Sequence, residues 1–241
     1  MQQATSSHQM MGYDRSSTMF SPDGRLLQVE YAKKSVRRAA TSVGITCKDG
    51  VILLADKRVL DKLMIGEGIQ KIFQVEDFLG ASATGFLMDG RVLIERAQVI
   101  AQQHKITFDS SMPILSLVKE IADLKQAYTQ MGGARPFGVS ILFGGVDEDG
   151  PQLYVTDVTG IYFQYKATAI GEAENEIKTY MEKKYKDNMT IEQSIKLGVD
   201  ALKAAFDKEF DIEKIDCAVI ETKTKMFNKM SKDALKKIVG K

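Results

Sequence analysis

Two histidines, His8 and His104, and two cysteines, Cys47 and Cys217, are the chain's whole stock of the side chains most used in nucleophilic and metal chemistry. His8 falls in a polar N-terminal segment and His104 near a helix end, so a Ser-His-Asp or Cys-His arrangement would rest on one ordinary histidine. Each cysteine sits in an apolar, strand-like run, where a free thiol packs as a small core side chain. No Cys-x-x-Cys or Cys/His spacing marks a metal or redox site. The chain also lacks a Walker loop, a Gly-x-Gly-x-x-Gly and a His-Glu-x-x-His, so nucleotide hydrolysis and zinc proteolysis have no motif to rest on. No cofactor and no metal are expected.

These residues must be positioned by a soluble, folded body. The 241 residues, 44% hydrophobic and 27% charged, can bury a full core. With 33 Lys+Arg against 32 Asp+Glu, the net charge of +1 creates no field that would draw nucleic acid or an anionic membrane, and neither partner is expected. No segment is apolar for long enough to span a bilayer, and residues 1–20 lack the apolar centre of a signal peptide. The expected compartment is the cytoplasm. Asn188-Met189-Thr190 fits a glycosylation pattern, which has no use without secretion.

Residues 1–19 read as a flexible polar tail, and residues 20–241 as one domain undivided by any Pro-, Gly- or Ser-rich linker. Ser21-Pro22-Asp23-Gly24 predicts a turn into a short amphipathic helix, with Ser21 as its cap. Ser42 to Cys47 and Val51 to Ala55 alternate as a hairpin around Lys48-Asp49-Gly50. Lys71 to Val75 and Phe78 to Ala83 extend it into an antiparallel meander around Glu76-Asp77. Two helices follow, one through Val92, Ile94, Ala97, Val99 and Ile100, the other through Leu117, Ile121, Leu124, Tyr128 and Met131. Asp109, Ser110 or Ser111 is expected to cap the second, with Pro113 in its first turn. A second meander runs through Gly138 to Phe143, Leu153 to Val155 and Ile161 to Phe163. Helices over 172–185 and 191–206, a strand over 217–220 and a basic helix over 234–239 complete the chain. Two antiparallel sheets, each with a helix pair to cover it, make a layered α+β sandwich the economical arrangement.

Tyr13-Asp14-Arg15, followed by Phe20-Ser21-Pro22-Asp23-Gly24-Arg25-Leu26-Leu27-Gln28-Val29-Glu30-Tyr31-Ala32, resembles the N-terminal signature of proteasome α subunits, most nearly the archaeal type. The resemblance runs over nearly the whole chain and implies an α+β, four-layer αββα sandwich of the N-terminal-nucleophile hydrolase type. In that fold the catalytic subunits begin at a threonine whose free α-amine is the general base. Their Thr-Thr-Thr-Val-Gly run corresponds here to Ala40-Thr41-Ser42-Val43-Gly44. Ala40 takes the nucleophile's place and has no atom that attacks a carbonyl. Thr41 has an ordinary amide nitrogen unless the chain is cleaved before it. Asp56 and, after a one-residue shift, Lys71 resemble the charged pair around the catalytic threonine.

The resemblance further implies a non-catalytic subunit of the 20S core particle that builds a seven-membered ring with copies of itself and stacks on β subunits. Such a ring gates unfolded protein substrates and receives a regulatory ATPase ending in hydrophobic-Tyr-X. Tyr13, Asp14, Arg15, Pro22 and Tyr31 would hold the gate. Lys71, with Gly24, Leu26 and Glu30, would take the activator's terminal carboxylate. Met131, Gly132, Gly133 and Ala134 would form the pore annulus, where the family usually has tyrosine in place of Met131. Locally, Gly132 is expected to be the helix C-cap with positive φ. Two alternatives stay open: a self-processed N-terminal-nucleophile hydrolase starting at Thr41, and a bare scaffold ring without a gate.

Overall fold

A computed structural model describes residues 12–58, 63–65 and 68–240. Most of the expected tail, with His8, and the last residue of the expected domain, Lys241, lie outside them. Among the described residues the α-helices are α1 (Leu27–Arg37), α2 (Leu87–Phe108), α3 (Ile114–Gln130), α4 (Glu174–Lys184), α5 (Ile191–Phe206) and α6 (Lys232–Val239). The strands are β1 (Ser42–Cys47), β2 (Gly50–Asp56), β3 (Ile72–Glu76), β4 (Leu79–Gly85), β5 (Val139–Asp147), β6 (Gly150–Thr156), β7 (Tyr162–Gln164), β8 (Ala167–Ile170), β9 (Ile215–Glu221) and β10 (Phe227–Lys229).

The strands form two five-stranded sheets, ordered β10-β9-β2-β1-β8 and β3-β4-β5-β6-β7, with every pairing antiparallel. The expected first meander is therefore corrected: β1 and β2 belong to one sheet, β3 and β4 to the other. Strand alternation explains why β2 reads as unbroken apolar sequence. Ile52 and Leu54 face the layer of α4, α5 and α6, whereas Val51, Leu53 and Ala55 face the opposite sheet, so both faces are dry. On the far side, Ala81, Ala83, Ile141 and Phe143 pack against Leu93, Ile94 and Ala97 of α2 and Leu117 and Ile121 of α3. The result is the four-layer αββα sandwich. Gly44 permits the close approach of the two sheets, because a Cβ there would lie 2.5 Å from Leu153 Cδ1.

Local corrections have physical causes. Ser21 does not cap α1; its Oγ accepts from the Arg25 amide and closes the turn before the helix. Asp109 ends α2 in the left-handed region (φ 51°), and Pro113 is the N-cap residue of α3, one position before the first turn in which it was expected, so α3 has no side-chain cap of its own. Asp147, more than thirty residues away, accepts from the Ile114 amide instead, at 3.2 Å. Val92 and Val99 are exposed, and α2 buries Leu93, Ile94, Ala97 and Ala101. Helix α4 starts two residues after the expected Glu172, because Ala173 is left-handed (φ 55°). The sequence reading missed the short edge strands β8 and β10.

Candidate functional site

The N-terminal end of β1 gathers the residues singled out for chemistry. Ala40 directly precedes Thr41 and β1, and its carbonyl accepts from Lys71 Nζ at 2.6 Å. The same ammonium donates to Asp56 O at 3.0 Å and Thr41 O at 3.4 Å. Lys71 stands one residue before β3, which corrects its placement as the first residue of that strand, and it is only 3% exposed. Burial pulls its pKa down to about 7, against the opposing pull of Asp56. Burial likewise pushes the Asp56 carboxyl up, while Lys71, Arg58 and Lys214 draw it down.

Thr41 is fully buried, and its hydroxyl is already committed, donating to Glu172 O at 2.5 Å. The chain leading into it is held too: Ala39 O accepts from the Glu172 amide, and Thr41 O accepts from the Asp56 amide. Arg58 pairs with the Glu172 carboxylate over this corner.

Behind Ala40 runs a chain of buried hydroxyls that the sequence reading did not find. Ser82 Oγ donates to Ser42 Oγ at 2.8 Å, Ser42 and Thr84 share a bond of 2.9 Å, and Thr84 Oγ1 donates to Ala40 O at 3.4 Å. Ser82 and Thr84 are two apart in an otherwise small, apolar strand, so they share its inward face. That spacing was the signal available. The arrangement supplies a lysine, a carboxylate and hydroxyls around the first residues of β1, and it supplies no nucleophile at Ala40.

The expected gate and docking residues occupy the turn and helix before this corner. Ser21 and Arg25 bond each other's backbone, with Gly24 left-handed at φ 73° and Leu26 bridged to Phe20. Asp14 is brought to α1: its carbonyl accepts from Gln28 Nε2 at 2.6 Å, and its carboxylate accepts from the Tyr31 hydroxyl at 3.5 Å. Pro22 and Arg15 lie exposed, Glu30 is half-buried on α1, and Tyr13 lies half-buried before Asp14. No hydrogen bond or ion pair among the described residues joins Lys71 to Gly24, Leu26 or Glu30.

Met131 follows α3 and is 52% exposed, and Ala134 N donates back to Met131 O at 3.3 Å. The positive φ belongs to Gly133 (82°), which corrects the expectation for Gly132. Among the described residues no group of His, Cys, Asp or Glu is placed to hold a metal ion, and no helix is long and apolar enough to cross a membrane. Cys47 and Cys217 are both free and buried, as their apolar surroundings implied.

A sandwich of this topology, with a lysine and a carboxylate converging on the start of its first strand, defines a class. The chain belongs to the proteasome subunit family, whose description "Proteasome subunit" matches residues 36–220. Within that family it is of the α type: the N-terminal signature of A-type proteasome subunits matches residues 13–34. It is 47% identical to the proteasome α subunit of Pyrococcus abyssi over 95% of this chain and 87% of that one. Identity is 48% to that of Thermococcus sibiricus (94% and 86% covered) and 45% to that of Archaeoglobus fulgidus (95% and 93%). The protein is thus an α-type subunit of the 20S core.

Proposed function

We propose that this subunit builds and guards a proteolytic chamber and does no cutting itself. Copies of the chain form a seven-membered ring on β subunits, the N-terminal segment gates passage of unfolded protein, and a regulatory ATPase docks on the outer face. The observation that carries this reading is the occupied, nucleophile-free corner at Ala40. An N-terminal nucleophile needs a hydroxyl and a free amine on one residue. Ala40 has neither, and its carbonyl is held by Lys71 and Thr84.

The rival, a hydrolase matured by cleavage before Thr41, is opposed by the same corner. Thr41 is buried, its hydroxyl is spent on Glu172 O, and the preceding carbonyls are tied to Lys71 and the Glu172 amide. The Asp14–Tyr31 contact supports a gate held from α1. For the docking role, a carboxylate arriving at Lys71 has to replace at least one of three carbonyl acceptors, which a charge-assisted bond favours.

Fluorogenic peptide hydrolysis tests the assignment. The purified chain is expected to be inactive and to retain its first 40 residues by intact mass, with activity arising only on co-assembly with β subunits. Hydrolysis by the isolated chain, or a processed form starting at Thr41, would refute it.

A further inference from the structure

The turn from Met131 to Ala134 is exposed up to Gly133 and half-buried at Ala134. Its tip glycines, Gly132 and Gly133, have open space where a Cβ would point, and the Ala134–Met131 backbone bond closes the turn. One end of the turn is anchored by α3, and the other by the residues that follow it. Arg135 supplies a two-pronged attachment: Nη1 and Nη2 donate to the Asp89 carboxylate at 2.6 and 2.7 Å, and Nη1 also donates to Pro136 O at 3.1 Å. Asp89, in the first turn of α2, is 7% exposed and accepts in addition from the Gly138 amide at 2.8 Å. Gly138 O in turn accepts from Phe86 N at 2.8 Å and from Ser35 Oγ of α1 at 3.2 Å. The guanidinium lies 5.7 Å from the centre of the Phe86 ring, and Phe137 packs on Tyr128 of α3 with ring centroids 4.5 Å apart.

We infer that the Asp89–Arg135 fork is the positioning element that holds the Met131–Ala134 turn at a fixed projection, and so sets how wide a polypeptide the ring passes. The inference rests on reading that turn as the rim of the annulus. A bidentate guanidinium–carboxylate pair fixes angle as well as distance, which a single ammonium cannot do. Burial raises the Asp89 carboxyl, but the bonds from Arg135 and Gly138 outweigh it and hold it below the usual range, so the fork stays charged at neutral pH. Arg135 itself is about half exposed, so Asp89→Asn leaves no buried cation behind.

The test uses particles assembled from the full chain and β subunits. Each is given a short fluorogenic peptide, an unfolded protein, and the same protein carrying a disulfide-closed hairpin that must pass as two strands abreast. The ratio of hairpin to unfolded-protein hydrolysis compares the same chain passing doubled and single through the same gate, and the peptide reports the gate itself. Asp89→Asn and Arg135→Gln are expected to leave peptide hydrolysis unchanged and raise that ratio several-fold. Arg135→Lys, which keeps the charge without the fork, is expected to raise it less, and carries the test if Asp89→Asn does not assemble. Met131→Trp is the control for the rim and is expected to lower the ratio. If Met131→Trp lowers it while the Asp89 and Arg135 variants leave it at the parent value, the fork does not set the aperture and the annulus reading survives. If Met131→Trp is also silent, the annulus reading fails and the inference goes with it.

Discussion

Lys71 and Lys125 are both buried lysines, but their acceptors differ. Lys71 meets three backbone carbonyls, a set that uses all three protons of an ammonium. Among the described residues, Lys125, fully buried on α3, meets Thr156 O and Thr156 Oγ1, each at 3.1 Å. A neutral amine satisfies that pair by donating to the carbonyl and accepting from the hydroxyl. Removing Lys71 therefore takes a charged donor from three carbonyls in a part-buried corner. We expect Lys71→Ala to lower unfolding free energy by about 1–3 kcal/mol in urea titrations, and to abolish ATPase stimulation of assembled particles while basal peptide hydrolysis persists. Full stimulation would remove the docking role. For Lys125, burial brings the pKa down to about 7. Between that value and the ordinary lysine range, the unfolded chain binds a proton that the folded chain does not, so stability rises with pH across this window. Below it both states are protonated and the contribution is flat and unfavourable. Comparing the parent with Lys125→Met from pH 6 to 10 should show a steeper rise in the parent, by up to about 1.4 kcal/mol per pH unit. Parallel profiles would mean Lys125 is charged throughout.

At the scale of elements, Asp216 joins three parts of the fold. Only 4% exposed on β9, it pairs with buried Lys57 beyond β2 at 3.1 Å, Lys232 of α6 at 3.1 Å and Lys229 of β10 at 3.5 Å. Burial raises its carboxyl, and the Lys57 and Lys232 bonds more than reverse this, leaving it below the usual range. Its stabilisation is therefore complete above the ordinary carboxylate pKa and is lost as pH falls through the depressed value. Asp216→Ala leaves Lys57 buried without a counter-charge, and a loss of about 3–5 kcal/mol is expected. Hydrogen exchange should show β10 and α6 losing protection first; a uniform loss would deny Asp216 this tying role. Such long-range pairings mark the limit of what the chain disclosed as a string of letters. Helix α5 was read to the residue because its apolar spacing is strong and its Thr190–Gln193 capping box is local. Strands β8 and β10, with four and three residues, are too short to show a period, and they exist because a neighbour offers an edge. Ala40, Asp56 and Lys71 were legible as a set, but that Lys71 would turn inward was not, since its acceptors come from residues thirty-one, thirty and fifteen positions away.

For the whole molecule, passage through the proposed ring depends on small energies shared among copies. Moving a two-state gate from 1:99 to 99:1 takes about 5.5 kcal/mol, or roughly 0.8 kcal/mol for each of seven chains, the size of one modest hydrogen bond. The Asp14–Tyr31 contact is of that kind. Deleting residues 1–12 should raise peptide hydrolysis by assembled particles, and an unchanged rate would end the gating assignment. A body that guards an opening must itself resist deformation, and here the two sheets meet across a largely greasy interface that would tolerate sliding if nothing else crossed it. The Ser82–Ser42–Thr84 hydroxyls cross it and find partners at only one offset. They act as a key in a slot: sliding one sheet over the other would have to break these bonds first, so they favour a single register of the two layers.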